Sequence, residues 1–301
     1  MSIKLHQLRA FTEVANQGGI RAASRVLNLS QPAVTKAIKE LEECLGAALF
    51  HRGVQGITLT ECGENFLQHA RLILRELDIA QEDIQQRLGS VSGQVSVGMG
   101  ASIACSLAPE VIARFRKEYP QVKVRIIEGQ VEAHLERLRR GELDFSINTA
   151  HPAHADTEFQ LEKLLDMEFK VLLRKGHPCA NATTLEELAN CDWIMPTVRT
   201  SYHRWLMEIM AQKGIQPAIV ITCESYIPSL GMIAKTDCVG VMSETAMQHY
   251  AHADDITAIQ LRDALPLATY YLVQRKASPL TPVAARLAQL FRMQSRPQFG
   301  S

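Results

Sequence analysis

Residues 29–42 (LSQPAVTKAIKELE) constrain the fold of this chain more than any other segment. Ser30 is a residue type that caps helix N-termini, and Pro32 is tolerated in the first turn of a helix, so a helix is predicted to begin here. Val34, Ile38 and Leu41 recur at spacings of four and three, which places them on one buried face. The outward positions of these turns are polar: Gln31, Thr35, Lys36 and Lys39. Since amides and hydroxyls read base edges and lysines reach phosphates, the pattern favours a helix that enters a DNA groove over an ordinary amphipathic surface helix.

The segments on both sides of this helix predict a winged helix-turn-helix. Upstream, apolar residues repeat at helical spacing over residues 5–15, two glycines form a turn, and residues 20–27 predict a short helix. Ala22 and Ala23 are small enough to let two helices cross closely. Downstream, residues 46–60 have the pattern of two short strands around a glycine-flanked tip, which is typical of a wing.

The distribution of charge agrees with this interpretation. Residues 1–60 carry seven basic and four acidic side chains, whereas residues 61–90 carry three basic and six acidic ones. Because the whole chain balances at 32 basic against 32 acidic residues, the positive charge is local to the predicted DNA-binding part. Arg52 and Gln55 lie on the wing, where they are placed to touch the DNA backbone or the minor groove.

The first 63 residues resemble the signature of the LysR-type transcriptional regulators. The residues that carry the resemblance are Leu8, Phe11, Val14, Ala22, Ala23, Leu27, Ser30, Gln31, Pro32, Ala33, Val34, Ile38, Leu41, Glu42, Leu45, Gly46, Leu49, Phe50, Arg52, Leu59, Thr60 and Gly63. Two positions depart from the usual pattern, since Gly19 and Thr35 stand where this family mostly has serine. Thr35 keeps the hydroxyl, whereas Gly19 lacks a side-chain cap for the following helix.

The resemblance implies a regulator that binds double-stranded promoter or operator DNA through residues 1–63. In this interpretation Gln31, Thr35 and Lys36 lie in the major groove, while Arg21, Lys39 and Arg52 hold phosphates. The full set of predicted DNA-binding residues is Arg21, Ser30, Gln31, Pro32, Thr35, Lys36, Lys39, Arg52 and Gln55. RNA polymerase is among the partners that the resemblance allows.

Residues 64–90 are predicted to be a linker helix with a hinge at its end. Between Glu61 and Leu88 there is no proline and only one glycine, Gly63. Apolar residues follow the 3.5-residue repeat of a coiled coil, at Phe66, Ala70, Ile73, Leu77, Ala80 and Ile84. A single helix with this pattern cannot bury its apolar seam, so the seam needs another surface, either a second copy of the helix or the C-terminal domain. The resemblance favours a dimer, and it implies a probable tetramer formed through the effector domains.

Residues 91–301 alternate between strand and helix patterns, which predicts a mostly parallel sheet with ligands at the carboxyl ends of its strands. Strands are predicted at 95–99, 122–127, 143–148, 169–173, 193–195 and 268–273, and helices at 106–119, 131–140, from 184 onward, and at 281–293. The resemblance implies lobe one at 91–163 plus 266–301 and lobe two at 164–265. The expected fold is therefore α/β, with an N-terminal all-α winged helix-turn-helix and a two-lobed effector domain like that of periplasmic binding proteins.

A small-molecule effector is expected between the two lobes, where polar residues follow the strands. Backbone N–H groups of a strand-to-helix turn near residue 100 suit an anion, while hydroxyls and one arginine suit a carboxylate and the tyrosines suit a ring. The predicted effector-binding residues are Gly100, Ala101, Ser102, Gln130, Asn148, Thr149, Pro196, Thr197, Arg199, Ser201, Tyr202 and Tyr226. Trp205 is a further candidate for stacking. The individual phrases resemble most the branch of the family that regulates the use of p-aminobenzoyl-glutamate, which implies an aromatic or other organic acid as effector.

Several other classes of function are not supported. The turn at residues 98–103 begins like a dinucleotide-binding motif, but Ile103 occupies the third glycine position, and we predict no cofactor. His151 and His154 form an H-x-x-H without a glutamate partner, so neither a metal nor an enzymatic activity is expected. No leader and no apolar run of about 18 residues is present, so we expect a cytoplasmic protein without a membrane partner.

The cysteines leave one alternative open. Seven cysteines without a C-x-x-C spacing indicate reduced thiols rather than a disulfide framework or a zinc site. A cysteine-based redox sensor on the same scaffold would need a resolving partner, and the candidate pairs are Cys179 with Cys191 and Cys223 with Cys238.

Overall fold

The computed structural model describes residues 2–53, 56–150, 158–196, 201–248, 250–263 and 265–295. They form two compact units, Met1–Ser90 with Arg139–Glu142, and Val91–Leu138 with Leu143–Ser301. The helices are α1 Leu5–Gln17, α2 Ile20–Val26, α3 Gln31–Leu45, α4 Glu61–Arg87, α5 Ala101–Cys105, α6 Ala108–Glu118, α7 Val131–Arg139, α8 Ser201–Gln212, α9 Tyr226–Lys235, α10 Glu244–Met247 and α11 Pro282–Gln294. The strands are β1 Phe50–Gly53, β2 Gly56–Leu59, β3 Gln94–Met99, β4 Lys123–Glu128, β5 Phe145–Thr149, β6 Phe159–Met167, β7 Phe169–Arg174, β8 Asp192–Met195, β9 Ala218–Thr222, β10 Cys238–Ser243, β11 Ile256–Ile259 and β12 Ala268–Arg275.

The first unit confirms the predicted helix-turn-helix and hairpin. Ser30 caps α3 by accepting a hydrogen bond from the Ala33 N–H at 3.3 Å, and Gly18 ends α1 in the left-handed conformation at φ 68°. Gly19 caps α2 without a side-chain hydrogen bond, as expected from its lack of a hydroxyl. Phe11 lies at the centre of the core, with its ring 5.2 Å from that of Phe50 and 5.3 Å from that of Phe66.

The long helix α4 packs closely against the start of the wing. Thr60 caps it by accepting from the Gly63 N–H at 2.9 Å, while its own hydroxyl donates to the Ala48 carbonyl at 2.7 Å. A Cβ at Gly63 would lie 2.1 Å from the Leu49 carbonyl oxygen, so only glycine fits here. Farther along α4, Ile73 and Ile84 of the predicted seam are about half exposed within the single chain.

The second unit contains two five-stranded sheets, in the orders β4-β3-β5-β12-β6 and β11-β7-β10-β8-β9. The chain passes from the first sheet to the second after β6 and returns after β11, so the predicted double crossing is confirmed. A continuous apolar cluster runs through both lobes and includes Phe145, Trp193 and Phe291, all fully buried.

Three predictions about this unit are wrong. The sheets are mixed rather than mostly parallel, because β12 pairs antiparallel with β5 and β6, and β7 pairs antiparallel with β10 and β11. The predicted lobe boundary at 163/164 falls inside β6, which continues to Met167 before the chain changes sheet at Glu168. The helix predicted from residue 184 is a single 3-10 turn, Glu186–Leu188, because β8 begins only four residues later.

Candidate functional site

The polar side of α3 is exposed, while its apolar side is fixed to the core. Gln31 is exposed, Thr35 is half-buried, and the side chains of Lys36 and Lys39 are 78% and 72% exposed. Lys36 and Lys39 lie 3.8 and 3.7 Å from carboxylates one turn further along the helix. Exposed ion pairs of this kind contribute little to the stability of the fold. Both ammonium groups can therefore leave their carboxylates and bind a phosphate instead.

Hydrogen bonds from the rest of the first unit hold α3 in place. The Gln7 amide donates to the Glu40 carboxylate at 3.1 Å from the buried side of α1. The Glu42 carboxylate accepts from the N–H groups of Leu49 and Phe50, at 2.8 and 3.2 Å, where the chain enters the wing. The helix and the wing are thereby fixed relative to each other, as a rigid DNA-reading surface requires.

The other predicted DNA-binding residues are only partly described. Arg21 is exposed on α2, and Ser30 and Pro32 form the exposed start of α3. Arg52 lies on β1, where its backbone pairs with Ile57 of β2. Gln55 lies outside the described residues.

A cleft opens between the two sheets of the second unit, and the space in it that the centre of a water molecule can occupy is about 100 Å³. Nine of the predicted effector-binding residues line it: Gly100, Ala101, Ser102, Gln130, Asn148, Thr149, Pro196, Tyr202 and Tyr226. Thr197 and Arg199 lie outside the described residues, and Ser201 is described only as the first residue of α8. Trp205, which is half exposed, does not line the cleft.

Asn148, at the end of β5, is held by a buried network in lobe one. Its Nδ2 lies 2.7 Å from His134 Nδ1, 3.3 Å from the Gly129 carbonyl oxygen and 3.4 Å from Ser146 Oγ. His134 is 1% exposed, and its pKa is lowered to about 4 by burial and by the nearby charge of Arg137. The imidazole is therefore neutral at neutral pH, and with its proton on Nε2 its Nδ1 accepts from the Asn148 amide and lies 3.1 Å from Ser146 Oγ.

The side chains of this network leave no room for a Cβ atom at two neighbouring glycines. A Cβ at Gly100 would lie 2.6 Å from Asn148 Oδ1, and a Cβ at Gly98 would lie 2.7 Å from His134 Nδ1. The Gly-x-Gly spacing that starts like a nucleotide motif thus makes room for His134 and Asn148.

Three tyrosines enclose the cleft, and their hydroxyls differ. The Tyr226 hydroxyl donates to the Ser243 carbonyl at 2.7 Å, and the Tyr270 hydroxyl is hydrogen-bonded to the Ser102 side chain. Burial raises the pKa of Tyr270 to about 12. Tyr202 is 4% exposed, and among the described residues its buried hydroxyl has no hydrogen-bond partner. Its ring packs 4.3 Å from that of Phe169.

The charges at the described part of the cleft are negative. Among the described residues that line it, Glu128 and Glu224 are the charged ones, and neither lysine nor arginine occurs. Burial lowers the pKa of His203 to about 4, although the Val241 backbone and the Glu224 charge oppose this shift, so the imidazole is neutral at neutral pH.

Comparison with known protein families gives two matches that together span nearly the whole chain. The model for "Bacterial regulatory helix-turn-helix protein, lysR family" matches residues 5–64, and the model for "LysR substrate binding domain" matches residues 88–296. The chain belongs to the LysR family of transcriptional regulators.

Relatives and solved structures agree with this assignment. The HTH-type transcriptional regulator TdcA of Escherichia coli (strain K12) is 28% identical over 287 residues, which cover 95% of this chain and 92% of TdcA. The HTH-type transcriptional regulator PcaQ of Agrobacterium fabrum is 30% identical over 261 residues, which cover 85% of this chain and 83% of PcaQ. The crystal structure of full-length CbnR complexed with its target DNA has the same fold, with a TM-score of 0.72, 21% identity and coverage of 97% of this chain and 99% of that chain.

This LysR-family regulator thus joins a DNA-binding helix-turn-helix to a domain for a small-molecule effector. Its relatives are transcriptional regulators rather than enzymes. Among the described residues, no cluster of His, Cys, Asp or Glu could hold a metal ion. In the same part of the chain, no helix has the length and apolar character needed to cross a membrane. His151 and His154 lie outside the described residues.

Several lining residues of this LysR-family regulator were missed from the sequence. They are Glu128, Gly129, Phe169, Cys223, Ser229, Val241, Met242 and Tyr270. Glu128 is the last residue of β4 and Gly129 follows it, so the rule that ligands bind at the carboxyl ends of strands could have found them. Tyr270 lies within β12, an antiparallel strand to which this rule does not apply.

Proposed function

We propose that the cleft of this LysR-family regulator binds a small organic carboxylate, and that this effector modulates promoter binding or activation. The observation that carries the proposal is the cleft itself, which is concave and has a lining of tyrosine rings and polar groups from both lobes. Ser102 and Thr149, together with the predicted Thr197, Arg199 and Ser201, supply hydroxyls and a guanidinium for a carboxylate. Tyr202 and Phe169 provide faces for a ring.

Binding regulates transcription only if the effector distinguishes two arrangements of the protein. The cleft is formed by both lobes, so a ligand that contacts both favours one angle between them. The equilibrium moves by no more than the difference in the effector's affinity for the two arrangements.

On the DNA side, the proposed roles follow from the chemistry of each side chain. Gln31, Thr35 and Lys36 contact the major groove from the start of α3, which Ser30 and Pro32 form. The phosphate contacts come from Arg21, Lys39 and Arg52, and Gln55 sits on the wing.

The functional unit is a homodimer formed through α4. In the single chain, Ile73 and Ile84 remain 49% and 55% exposed, so a second copy of the helix would bury apolar surface that is otherwise in water. The proposed domain limits are 1–63 for DNA binding and 64–90 for the linker helix and hinge, followed by the effector domain from residue 91. Effector domains then join dimers into a tetramer, and the regulator acts in the cytoplasm, where its DNA is.

The finer proposal is that the effector is p-aminobenzoyl-glutamate or a similar aromatic acid. It rests on the resemblance of residues 98–103, 123–130, 141–149 and 270–275 to the branch of the family that regulates the use of this compound. Part of this resemblance lies in strands that shape the fold. It therefore supports the assignment to this branch of the family more strongly than the identity of the effector.

A thermal-shift screen of the full chain tests the carboxylate proposal. Aromatic and aliphatic carboxylates are compared, including p-aminobenzoyl-glutamate and indole-acetic acid. We expect a dose-dependent rise in Tm with at least one acid, and loss of that rise in Ser102→Ala or Thr149→Val. Trp205→Phe, outside the cleft, is the matched control and keeps the rise. If no acid shifts Tm while operator binding is intact, the carboxylate proposal is wrong.

One observation favours redox sensing as a second candidate function. Cys191 Sγ lies 3.4 Å from Cys179 Sγ, whereas the Cys223 thiol donates to the Ser225 carbonyl at 3.5 Å. Oxidation by a peroxide would join the first pair, since two thiols and one hydrogen peroxide give one disulfide and two water molecules. Burial and the neighbouring Cys179 raise the pKa of Cys191 to about 12, which disfavours the reactive thiolate.

Mass spectrometry after brief peroxide treatment separates the two candidates. A Cys179–Cys191 disulfide that changes operator affinity, and that is absent in Cys191→Ser, would support redox sensing. Free thiols after treatment, or a disulfide without any effect on DNA binding, would exclude it.

A further inference from the structure

The floor of the cleft in lobe one presents a hydrogen-bond acceptor rather than a donor. The Gly129 carbonyl can only accept, so the Asn148 atom 3.3 Å away must be the NH₂ group. The contact of the same atom with His134 Nδ1, at 2.7 Å, fits this orientation when the neutral imidazole carries its proton on Nε2. Asn148 Oδ1 therefore faces Gly100, which lines the cleft.

The charged groups of the described lining add further acceptors. Glu128 directly precedes Gly129, and Glu224 faces the cleft from lobe two. A ligand that carried nothing but a carboxylate would bring its negative charge close to that of Glu128.

The hydroxyl of Tyr202 differs from those of the two other tyrosines that line the cleft. The residue is 4% exposed and lines the cleft, yet among the described residues nothing pairs with its hydroxyl. An unpaired buried hydroxyl costs free energy that a hydrogen bond to a bound molecule removes. The neighbouring hydroxyls of Tyr226 and Tyr270 are already bonded within the protein.

From this arrangement we infer that the effector carries a primary amino group, which binds between Glu128 and Asn148 Oδ1 while its acid group lies elsewhere in the cleft. The inference rests on the proposed function for the existence and position of the effector, and adds the chemical class. An amine donates to both acceptors, and its attraction to the Glu128 carboxylate offsets the repulsion between Glu128 and the acid group of the ligand.

Three probes test the inference on the full chain. p-Aminobenzoyl-glutamate has the amine and the carboxylates, N-benzoylglutamate lacks only the amine, and p-aminobenzamide keeps the amine but lacks the glutamyl chain with its carboxylates. Dissociation constants are measured by calorimetry for the wild type, Glu128→Ala and Glu132→Ala. Glu132 is the matched control, because it is an exposed glutamate of α7 outside the cleft lining.

We expect p-aminobenzoyl-glutamate to bind roughly tenfold or more tightly than N-benzoylglutamate, as for a hydrogen bond to a charged group. This ratio falls towards one in Glu128→Ala and is unchanged in Glu132→Ala. Equal binding of the two acids by the wild type would overturn the inference and leave the carboxylate proposal standing. If p-aminobenzamide is the only probe that binds, the carboxylate proposal is overturned and the inference about the amine stands. If none of the three probes binds, both the carboxylate proposal and the inference are overturned.

Discussion

At the scale of single residues, the function of a side chain depends on neighbours that are distant in sequence. Asn148 is the last residue of a predicted strand, so its place in the cleft could be expected. The orientation of the Asn148 amide group could not be predicted, because it is set by His134 from α7 and by the Gly129 carbonyl after β4. The Gly-x-Gly turn was similarly interpreted as an anion site, whereas Gly98 and Gly100 also serve to accommodate these two side chains.

Gln31 and Lys39 are expected to contribute differently to DNA binding. Gln31→Ala removes an amide that reads a base edge, so discrimination at one base pair should fall by about 1–3 kcal/mol. Lys39→Ala removes a phosphate contact, so binding to every sequence should weaken and the slope of log affinity against log salt should decrease by about one. Fluorescence anisotropy on the preferred operator and on random DNA, at several salt concentrations, measures both effects.

Lys235→Ala is the matched control for Lys39, since it removes an equally exposed lysine of the second unit. An equal loss of affinity for operator and random DNA in Gln31→Ala would contradict a base-reading role. An unchanged salt slope in Lys39→Ala would remove that residue from the phosphate contacts.

At the scale of elements, regular periodicity was predictable and local irregularity was not. The 3.5-residue repeat predicted the uninterrupted helix α4. Strand β6 was missed because Tyr270 pairs with Leu165 and Tyr271 with Lys163, which leaves Leu164 as an extra residue in a β-bulge. The bulge interrupts the alternation of apolar and polar positions that identifies a strand, and the lobe boundary was misplaced at the same point.

The exposed seam of α4 leads to a prediction about assembly. Ile73→Glu combined with Leu77→Glu places two negative charges where a second helix would pack, so the dimer should dissociate. Sedimentation velocity should then show monomers at concentrations where the wild type is a dimer. Gln81→Glu with Gln85→Glu adds the same charge at exposed positions outside the seam and should leave the dimer intact. A dimer that survives the seam variant would place the interface on another surface.

At the scale of the whole molecule, the architecture followed from the order of the predicted elements. The helix-turn-helix, the linker helix and the two α/β lobes with a double crossing all occur as expected. The mixed character of the sheets was not predictable, because strands β10 and β11 were not identified from the sequence and the pairing of β12 with β5 and β6 is set by long-range packing. The predicted cleft residues from both lobes come together since parallel strands of each sheet end there, while the place of Tyr270, which lies within an antiparallel strand, required the structure.

Two histidines of the second unit, the buried His134 and the half-buried His203, make its stability depend on pH. The pKa of His134 and that of His203 are each lowered to about 4, against about 6.5 in an unfolded chain. Between these values the unfolded state binds protons that the folded state does not, so stability decreases as the pH falls from about 6.5 to about 4. Above pH 6.5 both states are neutral at these groups, and below pH 4 the folded state is protonated as well. The carboxylates with lowered pKa, such as Asp166 and Asp263, lose their contribution mainly below this range.

Urea unfolding followed by tryptophan fluorescence measures this effect in the relevant unit, because both tryptophans, Trp193 and Trp205, lie there. One histidine with these pKa values should lower the free energy of unfolding by about 2 kcal/mol between pH 7 and pH 5. His134→Gln removes one titrating group, so the difference in unfolding free energy between the two pH values should become smaller, even if the variant is less stable at both. His252→Gln, which changes an exposed histidine, should retain the wild-type difference. If His134→Gln retains it too, burial does not hold this imidazole neutral, and its assignment as an acceptor for the Asn148 amide fails with it.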